Sequence, residues 1–205
     1  MYSAKIYVTN HPLFKKILIK IPSMKSEKKN KIFIARSLDG YIAGKNGELD
    51  WLNSIPNPEN LDMGFVNFME DTDAVIMGRV TFELVCSFEG EWPYHRPIFV
   101  LSRTLNSIPE KFKHKAELVK GEIKEVLETI NGLGHHQLYI DGGATIQSFL
   151  KEDLIDELII TTIPILLGGG IPLFRELPKS LEFEHIESKV YLGQMVQDHY
   201  KRKRN

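Results

Sequence analysis

Residues 136–154, HQLYIDGGATIQSFLKEDL, carry the reading from which the fold follows. HQLYID is a short apolar run of strand type, the pair Gly142–Gly143 ends it, and ATIQSFLKEDL is a helix. The same alternation extends in both directions. Upstream, KIFIARS from Lys31 to Ser37 is a buried strand followed by a long loop rich in Gly, Asp and Asn. In residues 59–70, ENLDMGFVNFME, the spacing of Leu61, Phe65, Phe68 and Met69 by threes and fours predicts an amphipathic helix. DAVIMG is the next strand, RVTFELVC a short helix, RPIFVLS and AELVKG two more strands, and IKEVLETINGLG a helix ended by glycine. Downstream, DELIITTIPILLGGG is a long strand interrupted at Pro164, and SLEFEHIESKVY and GQMVQDHYKR alternate apolar and polar residues as an antiparallel pair does. Strands separated by helices and closed by a hairpin predict an α/β protein with a mostly parallel central sheet, helices on its flanks and an antiparallel C-terminal hairpin.

Length and composition agree with one such domain. The chain has 205 residues, 42% hydrophobic and 26% charged, with a formal net charge of −1. A chain of this size suits a single core, and so even a balance offers no field that would gather nucleic acid or an anionic membrane surface. The single cysteine, Cys86, excludes an internal disulfide framework and a multi-cysteine zinc site, which fits the reducing cytoplasm. The seven histidines show no metal spacing, so no metal is expected. The C-terminal KRKRN reads as a solvated strand end.

Residues 1–30 are basic and irregular and read as an appendage to a domain over 31–205. Pro12, Lys15, Lys16, Lys20 and Pro22 interrupt every apolar run there, leaving neither a signal-peptide core nor the roughly 20 residues of a membrane span. Met24, just before KSEKKN, offers an alternative translation start.

Three strand-to-helix junctions carry glycine or small residues: MGRVTF at 77–82, LSRT at 101–104 and DGGATI at 141–146. Ligands of open α/β sheets bind at the carboxyl ends of strands. Gly78 leads into a helix beside Arg79 and Thr81, and Gly142 and Gly143 lead into another. Two helix starts facing one crevice suit a pyrophosphate. Ser102 and Arg103 add a hydroxyl and a positive fork for a further phosphate. Any one of these glycines alone also fits a tight turn. Neither the G-x-G-x-x-G fingerprint nor a G-x-x-x-x-G-K-[ST] loop is present, so a dinucleotide would be held by another fold. A G-x-S-x-G nucleophile elbow is also missing.

KIFIA running into SLDGYIAGKNGELDWL, then VIMGRVTFE, FVLSRT, LYIDGGATIQSFL and TTIPILLGGGIPLF, in this order over about residues 31–200, resemble the dihydrofolate reductase-like superfamily. The nearest branch is the reductase domain of the bifunctional riboflavin-biosynthesis deaminase/reductase and its stand-alone relatives. The resemblance implies a three-layer dihydrofolate reductase-like fold and NADPH as cofactor. It implies that Gly78, Arg79 and Thr81 contact the cofactor phosphates, that Leu101, Ser102 and Arg103 lie at the adenosine 2′-phosphate, and that Gly142, Gly143, Ala144, Thr145 and Ile146 cover the pyrophosphate and nicotinamide. Dihydrofolate reductases proper carry a third glycine where this chain has Asp141.

On the substrate side the resemblance implies that Ser37, Asp39 and Gly40 line the cleft, although an Asp-Gly turn ending a strand explains them as well. Asp62 stands at the position of a pterin-binding carboxylate, and a helix-start cap is the alternative. Trp51 either covers the cleft or packs as a core aromatic. The implied activity is hydride transfer to a C=N or C=O of a small heterocyclic substrate, such as a ribosylamino-pyrimidine, with Asp39, Asp62 or water delivering the proton. A pterin or other small-carbonyl reductase and a non-catalytic nucleotide-binding protein are the alternatives. A homodimer through the strand around residues 155–165 is also expected.

Overall fold

The computed structural model describes residues 27–89 and 92–204. Among these residues ten strands are present: β1 (Lys29–Ser37), β2 (Tyr41–Ala43), β3 (Ala74–Gly78), β4 (Ile98–Leu101), β5 (Ala116–Val119), β6 (Gln137–Asp141), β7 (Glu157–Ile163), β8 (Ile171–Pro172), β9 (Phe183–Tyr191) and β10 (Met195–Arg202). Four α-helices accompany them: α1 (Phe65–Glu70), α2 (Arg79–Cys86), α3 (Ile123–Gly132) and α4 (Gly143–Lys151). Eight strands form one sheet in the order β5-β4-β3-β6-β1-β7-β10-β9, while β2 and β8 pair separately. Neighbours from β5 to β7 run parallel, and β10 and β9 add the antiparallel hairpin.

The two-residue period of the strands divides the apolar side chains between two cores. Ile76, Leu138 and Ile140 pack with Val126 and Ile130 of α3 and Phe149 and Leu150 of α4 on one face. Val75, Met77 and Tyr139 pack with Phe68 of α1 and Phe82 of α2 on the other. The result is three layers, as the strand and helix pattern predicts.

The predicted helix over 59–70 begins only at Phe65. Asn60 and Met63 have φ of 50° and 54°, outside any right-handed helix. Side chains hold the loop instead: Asn57 Oδ1 accepts the Leu61 N–H at 2.9 Å, and the Asp62 carboxylate accepts the N–H groups of Gly64 and Val66 at 3.1 and 2.7 Å. Two further expectations change. The first strand begins at Lys29, because Lys29 and Asn30 continue the pairing of β1 with β6. The expected appendage lies, up to residue 26, outside the described residues. The segment 155–165 offers no free edge for a partner, since β7 is paired by β1 on one side and β10 on the other; β9 is the outermost strand there.

Ion pairs tie the hairpin to the rest. Asp153, just after α4, accepts from Arg202 Nε and Nη2 at 2.7 and 2.9 Å, and Glu157 accepts from Lys29 at 2.9 Å with His199 at 3.2 Å. The Arg202 hydrogen bond pulls Asp153 down to about 2, and the contact with His199 pulls Glu157 down to about 2. Both folded values lie below the unfolded ones. The ionised forms therefore favour the fold above about pH 4, and the contribution is lost as pH falls toward 2. Denaturant titrations are expected to show stability falling steeply between about pH 5 and 2, with the Asp153→Asn/Glu157→Gln double variant less stable at pH 7 and showing a flatter decline.

Candidate active site

In the parallel part of the sheet all carboxyl ends lie along one edge. There Met77 stands opposite Asp141, and Gly78 opposite Leu101, so β3, β4 and β6 end level with one another. The connections after β3 and β6, adjacent strands, leave in opposite directions: α2 leads to β4 over one face and α4 leads to β7 over the other. Such a reversal opens a crevice between neighbouring strand ends, where α/β sheets bind ligands.

At this crevice the two glycine junctions touch. A Cβ on Gly78 would stand 2.9 Å from Thr145 Oγ1, and one on Gly142 would stand 2.1 Å from Thr81 Oγ1. Gly142 also has φ of +87° with ψ of 135°, a conformation open to glycine alone. Ile42 of β2 closes over the start of α4, where a Cβ on Gly143 would come within 2.5 Å of its Cδ1. Among the described residues, neither α2 nor α4 has a side-chain cap or an acidic residue in its first turn. Their leading N–H groups thus lack the anion or acceptor that usually satisfies a helix start, which is the condition under which such a start can hold an anionic ligand. Ala144 is exposed at this start, whereas Thr145 and Ile146 are buried behind it. Arg79, first in α2, makes a two-point contact with Glu83 at 3.0 and 2.8 Å.

The site continues outward over β4 and β5. Leu101 pairs with Val119, and the Ser102 N–H donates to the Val119 carbonyl at 3.3 Å. Ser102 Oγ is buried and accepts the N–H groups of Thr104 and Leu105 at 3.2 and 3.0 Å, which turns the chain and sends Arg103 out to solvent. From β6 to β5 the edge spans three strand spacings, about 14 Å.

Of the expected substrate-side residues, Ser37, Asp39 and Gly40 stand together at the end of β1, whereas Asp62 lies in the loop before α1, bound to the N–H groups of Gly64 and Val66. Ser37 is fully buried; its Oγ donates to Asp39 Oδ1 at 2.6 Å and accepts the Tyr41 N–H at 2.9 Å. Gly40, at φ +88°, completes a turn by donating to the Ser37 carbonyl at 2.9 Å. Asp39 also accepts the N–H groups of Leu167 and Gly168 at 3.1 and 2.8 Å, fastening this turn to the glycine-rich loop before β8. The Ser37 hydroxyl, with those two N–H groups, holds Asp39 below the usual carboxylate range, and the Val66 and Gly64 N–H groups do the same for Asp62. Both are therefore ionised at neutral pH. Trp51 lies in a short 3-10 turn (Asp50–Asn53), 8% exposed, packed with Ile163 and Met195, and its buried Nε1 has no partner among the described residues.

One buried acid was not among the expected site residues. Asp141, at the end of β6, accepts from the Tyr94 hydroxyl at 2.7 Å. Burial pushes its carboxyl above the usual range, against the opposing pull of the Tyr94 and Tyr139 hydroxyls and the Gly142 N–H. The sequence signal was the acid standing where the third glycine was absent; its partner 47 residues earlier carried no motif. Among the described residues no group of three or more His, Cys, Asp or Glu side chains is arranged to hold a metal, and no helix is long and apolar enough to cross a membrane. A hollow of about 840 Å³ lined by Trp92, Tyr94, Arg96 and Lys115 lies away from the crevice, where β4 and β5 begin.

The model of the RibD C-terminal domain family matches residues 31–196, the span that holds all of these junctions. The chain belongs to the RibD C-terminal domain family. It is 36% identical over 178 residues to the uncharacterized protein YwjB of Bacillus subtilis (strain 168), covering 86% of this chain and 99% of that one. Among solved structures, the putative riboflavin biosynthesis protein from Shewanella sp. PV-4 superimposes with a TM-score of 0.84 at 55% identity, covering 86% of this chain and 99% of that one. Dihydrofolate reductase from Enterococcus faecalis, complexed with NADP(H), superimposes with a TM-score of 0.59 at 19% identity, over 86% and 97% of the two chains. At that identity the likeness shows the fold, which is the dihydrofolate reductase-like one.

The contact between the two helix starts gives a direct test. Gly142→Ala forces both a strained backbone and a collision with Thr81 and is expected to cost about 1–3 kcal/mol. Removing the colliding Oγ1 with Thr81→Ala in the same chain should recover part of that loss, measured by denaturant unfolding as a non-additive double-mutant cycle.

Proposed function

We propose that this RibD C-terminal domain protein is an NADPH-dependent oxidoreductase that reduces a C=N or C=O group of a small heterocyclic substrate in the cytoplasm, in the manner of a ribosylamino-pyrimidine reductase of riboflavin biosynthesis. The observation that carries this reading is the pair of uncapped helix starts, α2 and α4, meeting at the crevice between β3 and β6. Family membership supports it, as do the likeness to the putative riboflavin biosynthesis protein of Shewanella and the shared fold with the NADP(H)-bound Enterococcus reductase.

In this reading the N–H groups at the starts of α2 and α4 hold the pyrophosphate, with Gly78, Arg79 and Thr81 on one side and Gly142, Gly143, Ala144, Thr145 and Ile146 on the other. Leu101 and Ser102 shape the seat of the adenosine, and Arg103 meets the 2′-phosphate. When bound, NADPH supplies the hydride. The chain's own residues orient the partners and exclude water. The Ser37–Gly40 turn, held by Asp39 to Leu167 and Gly168, forms one wall of the substrate cleft, and Trp51 backs it. Because the oxygens of Asp39 and Asp62 accept backbone N–H groups and both stay ionised, water is the proposed proton source, with the two carboxylates acting through the loops they fix. The capping job of Asp62 favours this substrate class over a pterin. A homodimer is part of the same reading, with β9, one of the two outermost strands of the sheet among the described residues, as the contact.

Fluorescence titration with NADPH and NADH tests the proposal. NADPH is expected to bind at least tenfold more tightly, and Arg103→Ala to weaken NADPH about tenfold, the size of one charge-assisted contact, while leaving NADH nearly unchanged. Binding of neither cofactor contradicts the proposal. NADPH binding without oxidation across a panel of ribosylamino-pyrimidines, pterins and small carbonyl compounds would leave a nucleotide-binding protein and no reductase.

A further inference from the structure

Arg103 already has a partner within the chain. Its Nη2 lies 2.7 Å from Glu122 Oε1, and the two side chains are 77% and 72% exposed. The contact follows from the sheet: Leu101 and Val119 are paired at the ends of β4 and β5, so the residues just beyond them, 102–103 and 120–122, share one corner of the site. An ion pair this exposed contributes little to the fold. Glu122 has a separate structural task, as the first member of a capping box with Glu125 at the start of α3.

We infer that Glu122 is a specificity-determining residue that restrains the preference for NADPH over NADH, because its carboxylate competes with a 2′-phosphate for Arg103. The inference rests on the reading of Arg103 given above. Two effects act in the same direction. A 2′-phosphate must displace the carboxylate before it can use the guanidinium, and it then sits beside a like charge. The uncharged 2′-hydroxyl of NADH meets no such repulsion, and a carboxylate can accept its hydrogen bond, as acidic residues do at other dinucleotide sites.

The test is a cofactor titration of the full chain carrying Glu122→Gln, with Glu122→Ser as a second variant. Glutamine keeps an acceptor oxygen for the capping box and serine is a favoured helix cap, so thermal melting should show both folded. The ratio of NADH to NADPH dissociation constants is expected to rise about threefold to thirtyfold in each, through tighter NADPH binding, as removal of one screened charge beside a phosphate implies. In an Arg103→Ala background the same substitutions should move NADPH binding by less, since no guanidinium remains to be released. A ratio within about twofold of the parent, with Arg103→Ala still weakening NADPH tenfold, overturns this inference and leaves the cofactor reading standing. If Arg103→Ala leaves NADPH binding unchanged, both fall together.

Discussion

The close approach of two helix starts at the junction of β3 and β6 is the constraint on which the rest of the molecule depends. Thr81 of α2 lies against Gly142, and Thr145 of α4 lies against Gly78, with no room for a Cβ at either glycine. This contact is possible only because the chain leaves β3 toward one edge of the sheet and leaves β6 toward the other, which puts α2 and α4 on opposite faces with their first turns converging. The two cores then form beneath those helices, and the unsatisfied N–H groups are left at the surface of the crevice. Stability and ligand capacity thus have one origin: an arrangement that spends neither a side-chain cap nor an acidic residue on the helix starts.

Much of this arrangement was legible in the sequence because its determinants are local. A strand, a glycine junction and a helix are all specified within a dozen residues, and QLYIDGGATIQSFL and AVIMGRVTFELVC formed those elements within three residues of the expected limits. The helix over 59–70 failed because spacing records apolar positions and not backbone sign: side chains of Asn57 and Asp62 bind nearby N–H groups and postpone the helix by a full turn or more. The β2–β8 pair was hidden for another reason. Two and three residues are too few to show a period, and their pairing depends on segments about 130 residues apart.

The candidate site was less legible than the fold. Its residue types were visible, but their partners were not: Asp39 finds Gly168 and Arg103 finds Glu122 only through the assembled sheet. These partners change the chemistry that the residue types suggest. The carboxylates of Asp39 and Asp62 accept backbone N–H groups that hold them below the usual carboxylate range, while Asp141, which had no assigned role, is the acid that burial pushes upward. In the proposed function, position and charge therefore carry most of the task, and the reactive chemistry falls to the proposed cofactor.

The most direct measurement is a crystal structure of the full chain grown with NADPH. The diphosphate is expected over the first N–H groups of α2 and α4, between Gly78 and Gly142, with the adenosine end over β4 toward Arg103. Density for the cofactor elsewhere, for example in the hollow beside Trp92 and Lys115, with the two helix starts bare, would contradict that expectation.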